Sequence, residues 1–175
     1  MPLQTLARCA LALLVVGSLG CSRVNLEEAL AMAEVSTGWY DDGVVDAPGQ
    51  RQDGWNHLVP YVGFRLQNTS EQSLAGVQLT VSFWWVGGDG EFDSVLTRGI
   101  GDEAVPAGGL SEPIQVQGNV GFNLEGPRAD LFMNSGFQDA VAKVFARRSG
   151  RIVALGEFPI ERRVVPQQTT VTTMP

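Results

Sequence analysis

Residues 77–85 of the chain, VQLTVSFWW, alternate apolar and polar side chains with a period of two. Successive side chains of a β-strand point to opposite sides, so this period predicts a strand with one apolar face. The residues on that face are Val77, Leu79, Val81, Phe83 and Trp85. Trp84 falls on the other face, among polar neighbours. A strand of this kind is covered on one side only, which favours packed antiparallel sheets.

Further segments show strand patterns that are separated by turn residues. Alternation recurs in YVGFRLQ at 61–67 and in PIQVQGNVGF at 113–122. In the second of these, one face carries Ile114, Val116, Val120 and Phe122. The segments 139–148 and 151–165 flank a Ser-Gly turn and are typical of a hairpin. About seven short strands predict an all-β fold, an immunoglobulin-like antiparallel β-sandwich. A closed barrel is the alternative fold.

The first 20 residues have the layout of an export signal. Arg8 lies near the start, and small and apolar residues run from 10 to 20. This run is about half of the ~20 residues that span a bilayer, so it predicts a cleaved signal. The signal ends in Gly20-Cys21 and resembles the lipobox of bacterial lipoproteins, in which the cysteine is lipidated and becomes the first residue. The resemblance implies lipidation of Cys21; cleavage elsewhere and a free thiol is the alternative.

The chain divides into regions that differ in composition. They are a signal peptide (1–20), a lipidated tether or connector (21–35), a β-sandwich domain (36–165) and a disordered Thr-rich tail (166–175). In the connector, Asn25 and Glu28 have the spacing of a capping box. A short helix and a loosely ordered stalk both remain open for this segment.

The chain is acidic, with 19 Asp and Glu against 12 Lys and Arg and a net charge of −7. It has no basic stripe that could neutralise phosphates, so we expect no binding to nucleic acid. An acidic surface also predicts no electrostatic attraction to anionic lipid, and membrane attachment then depends on Cys21. The other cysteine, Cys9, lies in the signal, so no disulfide is expected to hold the fold.

The strand and turn order is similar to that of a known domain family. The segment YVGFRLQNTSEQSLAGVQLTVSFWWVGGDGEF, followed by VPAGGLSEPIQV, resembles the FxLYD-type immunoglobulin-like domains of bacterial envelope proteins. The shared features are an N-x-S turn, a strand that ends in aromatic residues, an acidic Gly turn and a P-x-G loop. GWYDDG, FMNSGFQDA and LGEFPIERR further resemble a group of bacterial cell-envelope lipoproteins. The resemblance implies the fold and offers no catalytic residues.

Hydrolytic chemistry finds little support in the sequence. His57 is the only histidine, and GxSxG, SxxK and HExxH patterns are absent. An acid and base pair of carboxylates would have to come from a cluster in the N-terminal third, which comprises Asp41, Asp42, Asp46 and Asp53. Acidic turns are the commoner reason for such a cluster. We therefore predict no catalytic residues and a protein that is not an enzyme.

Asp89, Glu91 and Asp93 have the alternate spacing with which a calcium loop begins. Ser94 and Ile100 stand where such a loop needs glycine and glutamate. A solvated hairpin turn accounts for the same residues. We predict no metal and no cofactor.

The aromatic residues are the candidate binding groups. Trp84 lies on the polar face of its strand, and Trp39, Tyr40 and Trp55 lie in or next to predicted N-terminal loops. Exposed aromatic rings act as anchors in protein interfaces and stack on sugars. A loop or the connector that covers Trp84 is the alternative.

These observations favour a lipid-anchored protein of the bacterial cell envelope, at the outer membrane or the periplasmic face. The expected role is a non-catalytic protein-binding or accessory module whose partner is another envelope protein. A glycan-binding sandwich and a structural subunit of a secretion or transport assembly are the alternatives.

Overall fold

The computed structural model describes residues 24–43, 45–47, 50–51, 55–125 and 128–166. Its helices are α1 (Leu26–Ala29) and the 3₁₀ helix η1 (Arg128–Met133). Its strands are β1 (Leu30–Asp41), β2 (Val45–Ala47), β3 (Gln50–Arg51), β4 (Trp55–Asn68), β5 (Val77–Trp85), β6 (Glu91–Ile100), β7 (Ile114–Gln117), β8 (Phe122–Glu125), β9 (Ala140–Arg148), β10 (Arg151–Pro159) and β11 (Val164–Val165). Within these ranges, no helix is long and apolar enough to cross a bilayer.

Two sheets form the body of the protein. The first sheet has the order β11-β1-β4-β7, and β8 also pairs with β4. The second sheet has the order β10-β9-β5-β6, while β2 and β3 form a small hairpin. The pairs within both sheets are antiparallel except β1 with β11, which is parallel. The predicted all-β sandwich is confirmed, with nine strands in the two sheets of the described part rather than about seven.

The core lies between the inner faces of the two sheets. From β5 the buried side chains are Val77, Leu79, Val81 and Phe83, and from β4 they are Leu58, Val62, Phe64 and Leu66. These residues belong to one contiguous apolar cluster. Burial of each such side chain contributes about 1.5–3 kcal/mol, so the two central strands supply much of the stability.

The connector folds as a short helix that packs on the sandwich. Leu26 and Ala29 of α1 are buried, and Leu30 already begins β1. Asn25 stands at the N-cap position, but its side chain makes no capping hydrogen bond; its carbonyl accepts one from the Ala29 amide at 2.9 Å. The sandwich therefore includes residues that the sequence assigned to the tether, because their apolar face has core to cover. Cys21, the predicted signal peptide and most of the predicted tail lie outside the described residues.

Asn68 joins three segments at one end of the sandwich. It is fully buried, and its Nδ2 lies 2.7 Å from the Gln72 carbonyl oxygen, 2.9 Å from that of Val105 and 3.1 Å from that of Pro106. Its Oδ1 accepts hydrogen bonds from the amide and the hydroxyl of Ser70. The N-x-S turn and the P-x-G loop of the sequence are thus held together by one carboxamide.

The predicted strand at 113–122 is split in the structure. Ile114 and Val116 point into the core as expected, but β7 ends at Gln117 and Val120 is 47% exposed. A Cβ on Gly121 would lie 1.9 Å from the Leu58 carbonyl oxygen, so the chain passes here too close to β4 for any other residue. The prediction that Val120 faces inward is wrong because alternation stops at this break.

Candidate functional site

The outward side of the second sheet carries a row of three apolar residues and one threonine, between rows that contain charged residues. The register places Ala154, Phe145, Thr80 and Leu96 side by side across β10, β9, β5 and β6. Leu96 is 69% exposed, and Ile152 at the edge is 66% exposed. We call this surface the outer face. Exposed apolar side chains that lie in a row on a sheet are characteristic of contact surfaces.

Trp84 lies on this outer face. It is half-buried, and its Nε1 donates a hydrogen bond to the Ser82 hydroxyl at 2.9 Å. The Lys143 Nζ lies 4.4 Å from the centre of the indole ring and 3.4 Å from a carboxylate oxygen of Glu157. Trp85 projects to the other side and packs against the core. Trp84 is therefore a fixed amphipathic surface group, with a cation over one face of its ring.

Trp39, a predicted surface aromatic residue, lies inside the core. It belongs to β1 rather than to a loop and is fully buried. Its ring stacks on Trp85 with centroids 6.5 Å apart and meets Phe137 edge-on at 5.0 Å. The prediction of an exposed ring is wrong, because the sequence does not reveal that β1 extends this far and turns residue 39 towards the second sheet. Trp39 is not available to a surface ligand.

The other two predicted aromatic residues lie at the far ends of long strands. Tyr40 follows Trp39 in β1, is half-buried and stands opposite Val59. Trp55 is the first residue of β4, and its side chain lies outside the described part of the structure. The structure thus does not bring the four predicted aromatic residues together into one platform.

His57 is held by a carboxylate. Its Nδ1 lies 2.8 Å from Asp42 Oδ1, and the two side chains are 24% and 41% exposed. An imidazole oriented by a carboxylate supplies two of the three groups of a hydrolytic triad. The third group is a nucleophile that is hydrogen-bonded to the second ring nitrogen. Among the described residues, no hydroxyl or thiol donates a hydrogen bond to Nε2. The pair links β4 to the segment after β1.

Asp93 of the predicted acidic turn has a structural task. Its Oδ2 accepts hydrogen bonds from the backbone amides of Asn119 and Val120, and its Oδ1 accepts one from the Ser94 amide at 2.8 Å. This carboxylate ties β6 to the loop after β7. In the described part of the chain, no group of three or more His, Cys, Asp and Glu side chains could hold a metal ion.

On the outward side of the first sheet, a tyrosine packs closely over the backbone of its own strand. Tyr61 lies over Gly63, where a Cβ would come within 2.5 Å of the tyrosine Oη. Burial raises the pKa of the Tyr61 hydroxyl, and the nearby charge of Arg163 partly opposes that rise. The glycine at position 63 is what allows the ring to lie flat, so this face presents a packed tyrosine rather than a cleft.

A recess of about 590 Å³ opens at the end of the second sheet. Arg98, Arg147 and Arg148 line it, together with the carboxylate of Asp102. A smaller recess of about 320 Å³ adjoins it through Arg148 and also includes Arg151. We call the four arginines the arginine corner. The sites predicted from the sequence do not include this corner, although the run ARRSGR at 146–151 is a signal for it.

The arginine corner is built by strand register. Arg147 and Arg148 end β9, a turn with positive φ at Ser149 and Gly150 follows, and Arg151 begins β10. Gln78 of β5 separates Arg147 from Arg98 on β6. Arg148 Nε donates to the Ala75 carbonyl at 2.9 Å. Within the described ranges, none of the four guanidinium groups forms an ion pair.

Comparison with known proteins adds little to this geometry. No protein-family model and no curated protein matches the chain. One similar solved structure is the X-ray structure of Northeast Structural Genomics Consortium target SoR45, with a TM-score of 0.43 and 12% sequence identity. The match covers 86% of this chain and 97% of the other. A similarity of this size carries no argument about function.

Proposed function

We propose that this protein is a lipoprotein of the bacterial cell envelope, anchored through Cys21, whose sandwich is a non-catalytic protein-binding module. The observation that carries the binding role is the exposed apolar row of the outer face. Leu96 and Ile152 are 69% and 66% exposed and lie in adjacent rows at opposite edges of the sheet; Phe145 lies in the row of Leu96, and Trp84 lies two rows further along β5. Protein interfaces favour this combination of aromatic and aliphatic anchors with a polar rim.

A protein partner fits the outer face better than a glycan. Sugars stack on the open faces of aromatic rings, but the Lys143 ammonium already lies over one face of Trp84. The apolar row runs across four strands, and so presents an extended flat surface rather than a cleft. A flat amphipathic surface is what a neighbouring envelope protein would cover.

A crosslinking experiment tests the partner. A photoreactive amino acid in place of Phe145 should give one discrete adduct in cells, and Leu96→Glu should reduce that adduct about tenfold or more, because a charge would be buried in the interface. Leu96→Glu should leave the free energy of unfolding within about 0.5 kcal/mol, since the side chain is exposed.

Val120→Glu is the matched control for that substitution. Val120 is also exposed but belongs to the loop after β7, away from the outer face, so the adduct should persist in this variant. An absence of any adduct at Phe145, or an equal loss in both variants, would contradict the proposed binding surface.

The anchor has a separate test. The intact mass of the protein from native membranes should equal a chain that starts at Cys21 plus a diacylglycerol and one acyl chain. Two anchors of this kind hold a protein stably, whereas one acyl chain does not. Cys21→Ala should remove the added mass and shift the protein out of the membrane fraction. An unmodified wild-type mass would refute the anchor and leave a soluble protein with a free thiol.

A further inference from the structure

Four of the chain's 12 basic side chains meet at one corner of an acidic protein. Arg98, Arg147 and Arg151 are exposed, and Arg148 is held by its bond to the Ala75 carbonyl. Because no carboxylate in the described part pairs with them, their charges remain available to a partner. A net charge of −7 describes the whole chain, but the field within a Debye length of about 8–10 Å is set by the local groups.

The chain enters the structure at this same corner. Val24, the first described residue, lines the smaller recess together with Leu26, Arg148 and Arg151. Cys21 precedes Val24 by three residues, and an extended chain spans at most about 3.3–3.6 Å per residue. In the proposed anchored protein, the three residues between the lipid and Val24 can therefore span at most about 11 Å. An anchor so close to the domain brings the arginine corner to the membrane surface.

Apolar and acidic residues near the arginine corner determine which side of the sandwich would face a membrane. Ile152 stands opposite Arg147 on the outer face and is largely exposed, so it can enter the apolar part of an interface beside the arginines. On the other side of Val24, a third recess is lined by Glu28 and Glu71. An anionic surface attracts the side with the arginine corner and repels the side with Glu28 and Glu71. The sandwich would therefore contact the membrane through the sheet that contains β5, β6, β9 and β10.

We propose that the arginine corner docks on the headgroups of an anionic phospholipid surface and fixes the orientation of the sandwich on the membrane. The proposal rests on the lipid anchor at Cys21. It replaces the expectation from total charge that anionic lipid has no part in attachment. With the corner on the lipid, the outer face stands beside the membrane, where a neighbouring envelope protein can reach it.

The test uses the full mature protein. Once Cys21 is acylated, the mature chain has no free thiol, so Ser149→Cys supplies a single labelling site in the turn between the arginines. A fluorophore at this site should be quenched by lipid-borne quenchers in vesicles that contain phosphatidylglycerol, and not in vesicles of phosphatidylcholine alone. Asp89→Cys, in the β5–β6 turn at the opposite end of β5, is the control and should not respond.

The variant Arg98→Gln/Arg147→Gln/Arg151→Gln removes the three exposed charges and spares Arg148, which is bonded to the fold. Each cation near an anionic surface contributes about fivefold in partitioning, so the equilibrium constant for docking should fall on the order of a hundredfold. High salt should have the same effect on the wild type because it screens the attraction. Quenching that is equal in both lipid compositions, or unchanged in the triple variant, would overturn the docking.

Two further arms separate the anchor from the docking. The Cys21→Ala chain should still sediment weakly with phosphatidylglycerol vesicles, and the three arginine substitutions should abolish this binding. If the protein is acylated but the quenching of its probe does not depend on the lipid composition, the docking is refuted and the anchor is kept. An unacylated protein with arginine-dependent sedimentation would refute the anchor and keep the docking. If inorganic phosphate changed the fluorescence of the probe while the lipid composition did not, the recess would be assigned to a small anion and the proposal would be overturned.

Discussion

Trp39→Ala is expected to lower the free energy of unfolding by about 3–5 kcal/mol. The side chain is fully buried and joins the two sheets through its contacts with Trp85, Phe122 and Phe137. Removal of the ring leaves a cavity that rigid strands on both sides cannot fill. Denaturant unfolding of the purified domain measures the change. Trp84→Ala is the matched control, and should cost less because that ring is half-buried on the outer face.

Trp39→Phe separates the contribution of the ring volume to stability from that of the unsatisfied Nε1 donor. The Trp39 Nε1 is buried and has no hydrogen-bond partner among the residues that the structure describes. An unsatisfied donor costs about 1–3 kcal/mol, so its removal offsets part of the volume that phenylalanine lacks. We expect Trp39→Phe to cost less than half as much as Trp39→Ala. If Trp39→Ala were as stable as the wild type while partner binding was lost, Trp39 would be a surface anchor after all.

Asn68→Ala is expected to cost about 2–4 kcal/mol, because each buried group that loses its partner costs about 1–3 kcal/mol. The substitution takes a donor from carbonyls that the fold has removed from water, and it frees the turn at Ser70. Asn68→Asp keeps the size but sets a carboxylate against carbonyl oxygens, and should be at least as damaging.

Asn119→Ala is the control for this pair. Asn119 is exposed, and in the described part of the chain only its backbone amide forms a hydrogen bond, so the same chemical change should stay within about 0.5 kcal/mol. Thermal and denaturant unfolding of the three variants measure the differences. Equal stability of Asn68→Ala and Asn119→Ala would mean that the carboxamide does not join the loops.

The strands and turns were the part of the fold that local patterns revealed. The alternation of β5 predicts which of its side chains enter the core, and Ser149-Gly150 predicts the β9–β10 hairpin. These signals work because the period of two and the positive φ of a tight turn are properties of a few adjacent residues. The start of β1 was missed, since Leu30 is drawn into the sheet by pairing with Asn68, a residue 38 positions away.

The candidate site depended more on distant residues. Trp84 was recognised from its own strand, but the exposure of Leu96 follows from the position of β6 at the sheet edge. Arg98 joins Arg147 only because β5 lies between their strands in a particular register. A change of register by one residue would send either guanidinium to the other side of the sheet.

By itself, the sequence determined the β class, the inward face of the central strand, the hairpin turns and the position of a cysteine at the end of the apolar run at 10–20. Each of these follows from sterics and side-chain chemistry within about ten neighbouring residues. Only the tertiary structure decided that Trp39 is core, that Asn68 joins two loops and that four arginines lie at the corner where the described chain begins. Those outcomes require strands from distant parts of the chain to pair, and pairing is selected by the burial of the whole core rather than by any one segment.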